Sequence, residues 1–463
     1  MAMAMPHSIP GRVHLVGVGG AHMSAIARIL LQRGHAVSGS DLRPGPVTEG
    51  LAELGLSFRA GHDAANVGDA ELVVHTVAAK PDNPELAAAR SAGLPVLTRA
   101  QMVARLLAGL RLVAVAGSHG KTTTSSLVAH LLKESGMYPT YMLGGESRNL
   151  GSNAGSGDGE WAVVEADEYG RAFLEYEPDI AVVTNIEPDH LDYYGDYQAV
   201  KDAFRQFLER VKADGLVIAA TASQGLDEVL TAARPPARIL RYGANGVSTW
   251  KGYKLTYDDG LQRFYLLGEG RDYGVFQLAV PGRHNFWNAV GALAAAIHAG
   301  ADVESLRRAL PRFSGARRRF ESVGEARGIS ILDDYAHHPT EIKATIEAAR
   351  ARFPGRRLVI VFQPHTYSRT GYLFEEFKGC FEGADGLFVL DTYAARESGG
   401  EGPGGRELAE AIAQPPASFI ATHEEAVDVL EASLTDGDVV FTMGAGDVDR
   451  VGPALLARLE SGQ

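Results

Sequence analysis

The densest chemistry in this 463-residue chain lies in RLVAVAGSHGKTTT, Arg111 to Thr124. Its apolar start, Leu112 to Ala116, predicts a strand. Gly117 and Gly120 then bracket Ser118 and His119, and Lys121, Thr122 and Thr123 open a helix. Glycines let a backbone approach a polyphosphate, and free amides at a helix start point at its oxygens. The lysine supplies a mobile positive charge, and the Thr122 hydroxyl can ligate Mg²⁺. A strict P-loop has a further glycine five residues before Gly120, where this chain has Val115. The loop is therefore a shortened variant, pointing away from ordinary nucleotide hydrolases. The plain alternative is a Ser/Thr-rich capped helix start, with His119 merely filling a loop position.

Further carboxylates and imidazoles follow the next apolar runs. Glu165 ends the strand WAVVE, and Asp167 and Glu168 come just after it; each is read either as a Mg²⁺ ligand or as part of a solvated acidic turn. NIEPDHLDYYG places Asp189, His190 and Asp192 after the strand DIAVVTNI, and His190 near a metal-phosphate centre can ligate a second divalent ion. GVGGAHMS, Gly17 to Ser24, follows another strand with Gly17, Gly19 and Gly20, but His22 stands where a dinucleotide fingerprint has its third glycine. It is a diphosphate site at a helix start, with His22 and Met23 in its first turn, or simply a tight packing turn. PGRHNFWNA brings His284, Asn285 and Asn288 to a helix start, to read an adenine edge or to cap. DDYAHHPTE offers Tyr335, His337 and His338 without a third metal ligand at suitable spacing, and FQPHTYSRT offers His365 and Arg369 past a buried strand. Cys380 reads as a packed helix residue.

The elements that must position these residues are strand–glycine–helix units. Arg12 to Asp41 reads as one βαβ unit ending in Asp41, and the chain after Phe320 reads as a second doubly wound unit. The fold class is α/β. Near-continuous apolar strands in the middle of the chain belong in a parallel sheet covered on both faces. Arg238 to Val280 alternates and turns like an antiparallel patch, Gly151 to Glu160 reads as a flexible loop, and FSGARRRF (Phe313 to Phe320) reads as a linker. The alanine-rich AVGALAAAIHAGA reads as a buried helix rather than a membrane span. A net charge of −13 argues against nucleic-acid or anionic-membrane partners. A single cysteine fits a reducing compartment, and the start of the chain has no secretion signal, so a cytoplasmic location is expected.

AGSHGKTTT, EADE, NIEPDHLDYYG, PGRHNFWNA, GARRRF, DDYAHHPTE and FQPHTYSRT occur in the order found in Mur ligases, and the chain resembles that family from GVGGAHMS to GAGDVDRVG. The motifs lean towards its alanine-adding branch. The resemblance implies a Rossmann-like UDP-sugar domain (residues 1–108), a central mixed-sheet P-loop-type ATPase (109–314) and a Rossmann-like amino-acid domain (315–463). It implies that the carboxylate of UDP-N-acetylmuramate takes the γ-phosphoryl group of ATP and that L-alanine then attacks the acyl phosphate. Two Mg²⁺ ions, replaceable by Mn²⁺, would be held by Thr122, Glu165 and His190. Gly117, Ser118, His119, Gly120, Lys121, Thr122, Thr123, His284, Asn288 and Arg319 would contact ATP. Gly17, Gly19, Gly20, His22, Met23, Ser24 and Asp41 would hold the uridine nucleotide, and Tyr335, His338 and Arg369 would face the amino acid or acyl phosphate. Lys121, Glu165, His190, His338 and Arg369 are the expected catalytic set. The partners are then small molecules, and the expected state is a monomer or weak homodimer.

The chain departs from the family at His22, often glycine, and at Gly170, commonly acidic. Other Mur ligases carry a carbamylated lysine after the Asp-His motif; Lys201, the only lysine in that stretch, reads as a surface lysine. The rivals are a murein-peptide ligase, a dehydrogenase with Asp41 on a ribose, and a non-catalytic nucleotide-binding regulator.

Overall fold

The computed structural model describes residues 8–461 except 245, 259, 396 and 398–401. They form three sheet-containing α/β domains. In the first, β1 (Arg12–Val16), β2 (Ala36–Asp41), β3 (Ser57–Ala60), β4 (Leu72–His75) and β5 (Val96–Thr98) pair in the order β3-β2-β1-β4-β5, all parallel. Gly17, at φ 82°, turns the chain after β1 into the helix Ala21–Gln32. The amides of Gly17 and Val18 donate to Ser40 O at 2.8 and 3.0 Å, and Gly19 N–H to Asp41 Oδ2 at 2.8 Å. The turn is thus held by the end of β2. Behind it lies a buried carboxylate, Glu85, which accepts from Ser40 Oγ and Asn66 Nδ2 (both 2.8 Å) and meets His62 Nδ1 at 2.9 Å. Burial pushes its pKa up, but bonds from His14, Asn66, Ser40 and His62 outweigh that and hold it at about 2.

The central sheet has ten strands: β6 (Arg111–Ala116), β7 (Thr140–Ser147), β8 (Ser152–Gly155), β9 (Trp161–Glu165), β10 (Ile180–Val183), β11 (Leu216–Ala220), β12 (Arg238–Tyr242), β13 (Trp250–Asp258), β14 (Leu261–Gly268) and β15 (Arg271–Leu278). Their order is β15-β14-β13-β12-β11-β10-β6-β9-β7-β8. The inner strands β6, β9, β10 and β11 are buried, apart from Arg111 at the start of β6, and parallel, as their apolar runs require. Two sequence expectations change here. Of the stretch from Arg238 to Val280 read as antiparallel, β13–β15 do form an antiparallel meander, but β12 runs parallel to β11. Within the stretch read as a flexible loop, Ser152–Gly155 is an edge strand antiparallel to β7. Its Ser-Asn-Ala-Gly sequence has low strand propensity; pairing with β7 and packing under the Tyr141 ring decide it.

The third sheet orders β16 (Glu321–Ala326), β17 (Ile329–Asp334), β18 (Leu358–Phe362), β19 (Gly386–Leu390), β20 (Ala417–Ile420) and β21 (Val439–Met443) as β16-β17-β21-β18-β19-β20, antiparallel only at β16–β17. One apolar core runs unbroken from the first sheet into the central one, whereas the third sheet has a separate core on each face. The stretch read as a linker is partly anchored: Ala316 is buried and bridges to Ser147. Cys380 is buried in the third domain's core. Among the described residues no helix is long and apolar enough to cross a membrane.

Candidate active site

The phosphate-type loop sits where β6 ends. Its glycines are required: Gly117 has φ 141° and a Cβ there would lie 2.1 Å from Thr184 Oγ1, while Gly120 has φ 80° and a Cβ would lie 2.7 Å from Asn288 Oδ1. The neighbouring strand end braces the loop, Asn185 Oδ1 accepting from His119 N–H at 2.8 Å and Thr184 Oγ1 donating to His119 O at 2.5 Å. Lys121 Nζ donates to Gly117 O (2.5 Å), Ser118 O (3.1 Å) and Glu168 Oε1 (2.8 Å). Burial opposes the ammonium charge, but Glu168 and Glu165 overcome it and raise the pKa above the ordinary lysine value. A phosphate oxygen reaching this loop meets a lysine that is certainly charged and has to release Glu168 to take it.

Glu165, at the end of β9, is buried and its Oε2 accepts from Gly144 N–H at 2.8 Å. The approach is so close that a Cβ on Gly144 would stand 2.2 Å from Glu165 Oε1. Thr122 lies beside the same β7 segment, with its Cγ2 3.4 Å from a Cβ built on Gly145. Glu168 is only 2% exposed, and its Oε2 has no partner. Burial pushes its carboxyl up, against the pull of Lys121 and His190. His190, held at φ 54°, puts Nε2 3.8 Å from Glu168 Oε1 and 3.7 Å from Asp189 Oδ2. Two ligands about 2.0–2.1 Å from one octahedral ion are roughly 3–4 Å apart. These separations and the orphaned Glu168 oxygen therefore fit a divalent cation, and the carboxylate oxygens suit Mg²⁺ or Mn²⁺.

The third domain closes the site from the other side. Arg369 donates from Nη2 to Asp189 Oδ1 at 3.1 Å and from Nη1 to His365 O at 2.7 Å. Although burial works against it, Arg369, His190 and the neighbouring histidines hold Asp189 well below the usual carboxylate range. Glu341, at the start of the helix Pro339–Arg352, lies 3.4 Å from both His119 Nδ1 and Arg319 Nη1, and Thr340 Oγ1 donates to Glu187 Oε2 at 2.8 Å. Burial alone would neutralise His119; the carboxylates of Glu187 and Glu341 instead raise it to about 9. The His338 ring lies tilted against His119 with centroids 4.5 Å apart, caps the helix through Nδ1, and leaves a buried Nε2 without a partner. Burial and the adjoining His119 charge lower its pKa to about 4, and burial with Arg319 does the same to His284. The guanidinium groups of Arg318 and Arg319 each lie 5.2 Å from the Tyr335 ring. His119, Glu187 and His338 also gather within metal-ligand reach, with His119 held as a cation by Glu187 and Glu341.

A cleft of about 640 Å³ opens among the three domains, lined by His22 and Arg99 of the first, Asp167, Asp189 and His190 of the second, and Arg369 of the third. The first-domain turn is less accessible than its sequence suggests. Met23's side chain is in the core, Ser24 Oγ donates back to Ala21 O, and both oxygens of Asp41 are taken by the Gly19 and Leu42 amides. Of the described groups expected there, main-chain amides at the helix start and His22 are left to meet a diphosphate. Lys201 pairs with Glu228 at 2.7 Å on the surface. Sequence reasoning had left Glu168 and Asp189 outside the expected catalytic set, and it passed over Glu187, Glu341 and Arg99. Their partners lie up to 180 residues away, so no local spacing signals them.

Family models match almost the whole chain in three blocks: "Mur ligase family, catalytic domain" over residues 12–111, "Mur ligase middle domain" over 115–296, and "Mur ligase, glutamate ligase domain" over 318–446. This chain belongs to the Mur ligase family. This Mur ligase is 42% identical, over 97% of its length and 98% of the relative's, to a UDP-N-acetylmuramate–L-alanine ligase from Desulforamulus reducens. The crystal structure of a UDP-N-acetylmuramate-alanine ligase from Thermotoga maritima superposes with a TM-score of 0.83 at 28% identity, covering 98% of this chain and 100% of that one. A murein peptide ligase from Psychrobacter arcticus matches less well, with a TM-score of 0.71 at 25% identity over 97% and 99% of the two chains.

Proposed function

We propose that this Mur ligase joins the amine of L-alanine to the carboxylate of UDP-N-acetylmuramate at the expense of ATP, making a peptidoglycan precursor from nucleotide substrates of the cytoplasm. What carries this reading is the acidic cluster, which is joined to the phosphate-type loop through Lys121–Glu168 and to a third-domain arginine through Asp189–Arg369. The full-length identity with an alanine-adding ligase supports the choice of substrates.

ATP would lie along the loop amides from Gly117 to Thr123, contacted also by Asn288 and Arg319, with His284 close by. Lys121 leaves Glu168 for the β- and γ-phosphates and stabilises charge as the γ-phosphoryl group moves to the substrate carboxylate. Thr122 and Glu165 would hold one divalent ion, and Glu168, Asp189 and His190 a second; bound there, the ions would neutralise charge on the triphosphate and the acyl acceptor. The sugar nucleotide is held at the glycine turn of the first domain through amides at a helix start. Arg369, oriented by Asp189 and His365, faces the incoming amino acid beside Tyr335, and the neutral His338 offers its free Nε2 to the same region. The amine attacks the acyl phosphate, and phosphate leaves.

The test is phosphate release with each substrate withheld in turn. Release is expected only when ATP, UDP-N-acetylmuramate and L-alanine are all present; full release without the amino acid or without the sugar nucleotide would refute the ligase reading.

A further inference from the structure

The first domain contributes four residues to the cleft wall, His22, Thr76, Val77 and Arg99, and only Arg99 carries a permanent charge. Arg99 opens the helix Arg99–Leu106 directly after Thr98, whose hydroxyl caps it, so its stem starts from a fixed point. The side chain is 12% exposed, and Nη2 donates to Asp167 Oδ2 at 3.0 Å across the domain boundary. That bond uses one of the five N–H donors in a fork shaped to grip a carboxylate. Among the described residues no other acceptor engages it. Arg369, the other arginine on the wall, is already committed to Asp189 and His365.

The wall around Arg99 is acidic: Asp167, Asp189, Asp192 and Glu397 all line the cleft. An anionic substrate entering such a wall is repelled unless a cation meets it. A sugar nucleotide anchored at the first domain's turn has to carry its carboxylate past this wall to reach the phosphate loop. We propose that Arg99 receives that carboxylate, giving up part of its hold on Asp167, and thereby selects a carboxylate-bearing sugar nucleotide over one without it. The assignment rests on the ligase function proposed above. It differs in kind from a bridge that only ties two domains together. For a bridge, losing either partner has the same effect; for a receiver, losing Asp167 frees Arg99 and strengthens binding.

Calorimetric titration of the full-length protein, without ATP, with UDP-N-acetylmuramate and with UDP-N-acetylglucosamine, which lacks the carboxylate, separates the two. In Arg99→Ala the preference for the muramate is expected to fall about tenfold or more, the weight of a charge-assisted hydrogen bond, while affinity for the glucosamine nucleotide holds. Asp167→Asn is expected to tighten the muramate. Arg99→Lys, which keeps the charge without the fork, should fall between wild type and alanine, and it carries the test if the alanine variant does not fold. An unchanged preference in the arginine variants, or weaker muramate binding in Asp167→Asn, overturns the proposal. Wild-type protein that releases no phosphate with all three substrates overturns the ligase function instead, and the binding ratios still decide Arg99.

Discussion

His119 and Lys121 stand two residues apart in one loop, and each carries a charge set by carboxylates far away in sequence. His119 acquires its partners only on folding, so its folded pKa of about 9 stands above the ordinary value near 6.5. The stability this confers is fully present below pH 6.5 and is lost as pH rises through 9. The melting-temperature gap between wild type and His119→Gln is therefore expected to be larger at pH 6.5 than at pH 9.5, and a gap that widens with pH would contradict the assignment. For Lys121, replacement by alanine removes the charge that meets the transferring phosphoryl group. We expect Lys121→Ala to lose at least about a thousandfold in turnover while keeping its circular dichroism and its affinity for the sugar nucleotide. Normal turnover by that variant would remove the loop from the chemistry.

At the scale of elements, the strand–glycine–helix starts were legible because an apolar run followed by glycines has few other uses. The helix start at Gly282 and the buried strands β6, β9, β10 and β18 were legible for the same reason. Strand β8 was not, since Ser152–Gly155 takes its conformation from β7 rather than from its own residues. Nor was the contact between Gly144 and Glu165, which joins two strands through a distance only a glycine allows. Gly144→Ala drives a methyl into that carboxylate. We expect kcat/KM for ATP to fall about a hundredfold, the scale of a displaced catalytic group, with little change in melting temperature. An alanine variant of wild-type efficiency would show that Glu165 need not sit where β7 holds it.

Over the whole molecule, the first two domains share a core, whereas the third joins the site through polar pairs: Arg369 to Asp189, Glu341 to His119 and Thr340 to Glu187. Polar contacts reform more readily than a packed core, so the third domain is the part suited to open for substrate entry and close for reaction. Small-angle scattering of ligand-free Arg369→Ala should give a larger radius of gyration than wild type. Equal radii would mean that the Arg369–Asp189 pair does not hold the domains together.

In the proposed reaction the substrate carboxylate is phosphorylated before an amine attacks it. Supplying UDP-N-acetylmuramate with heavy oxygen in its carboxylate, together with ATP and L-alanine, tests it directly by mass spectrometry of the products. One heavy oxygen is expected in the released phosphate for each amide formed; amide formation with unlabelled phosphate would exclude an acyl phosphate.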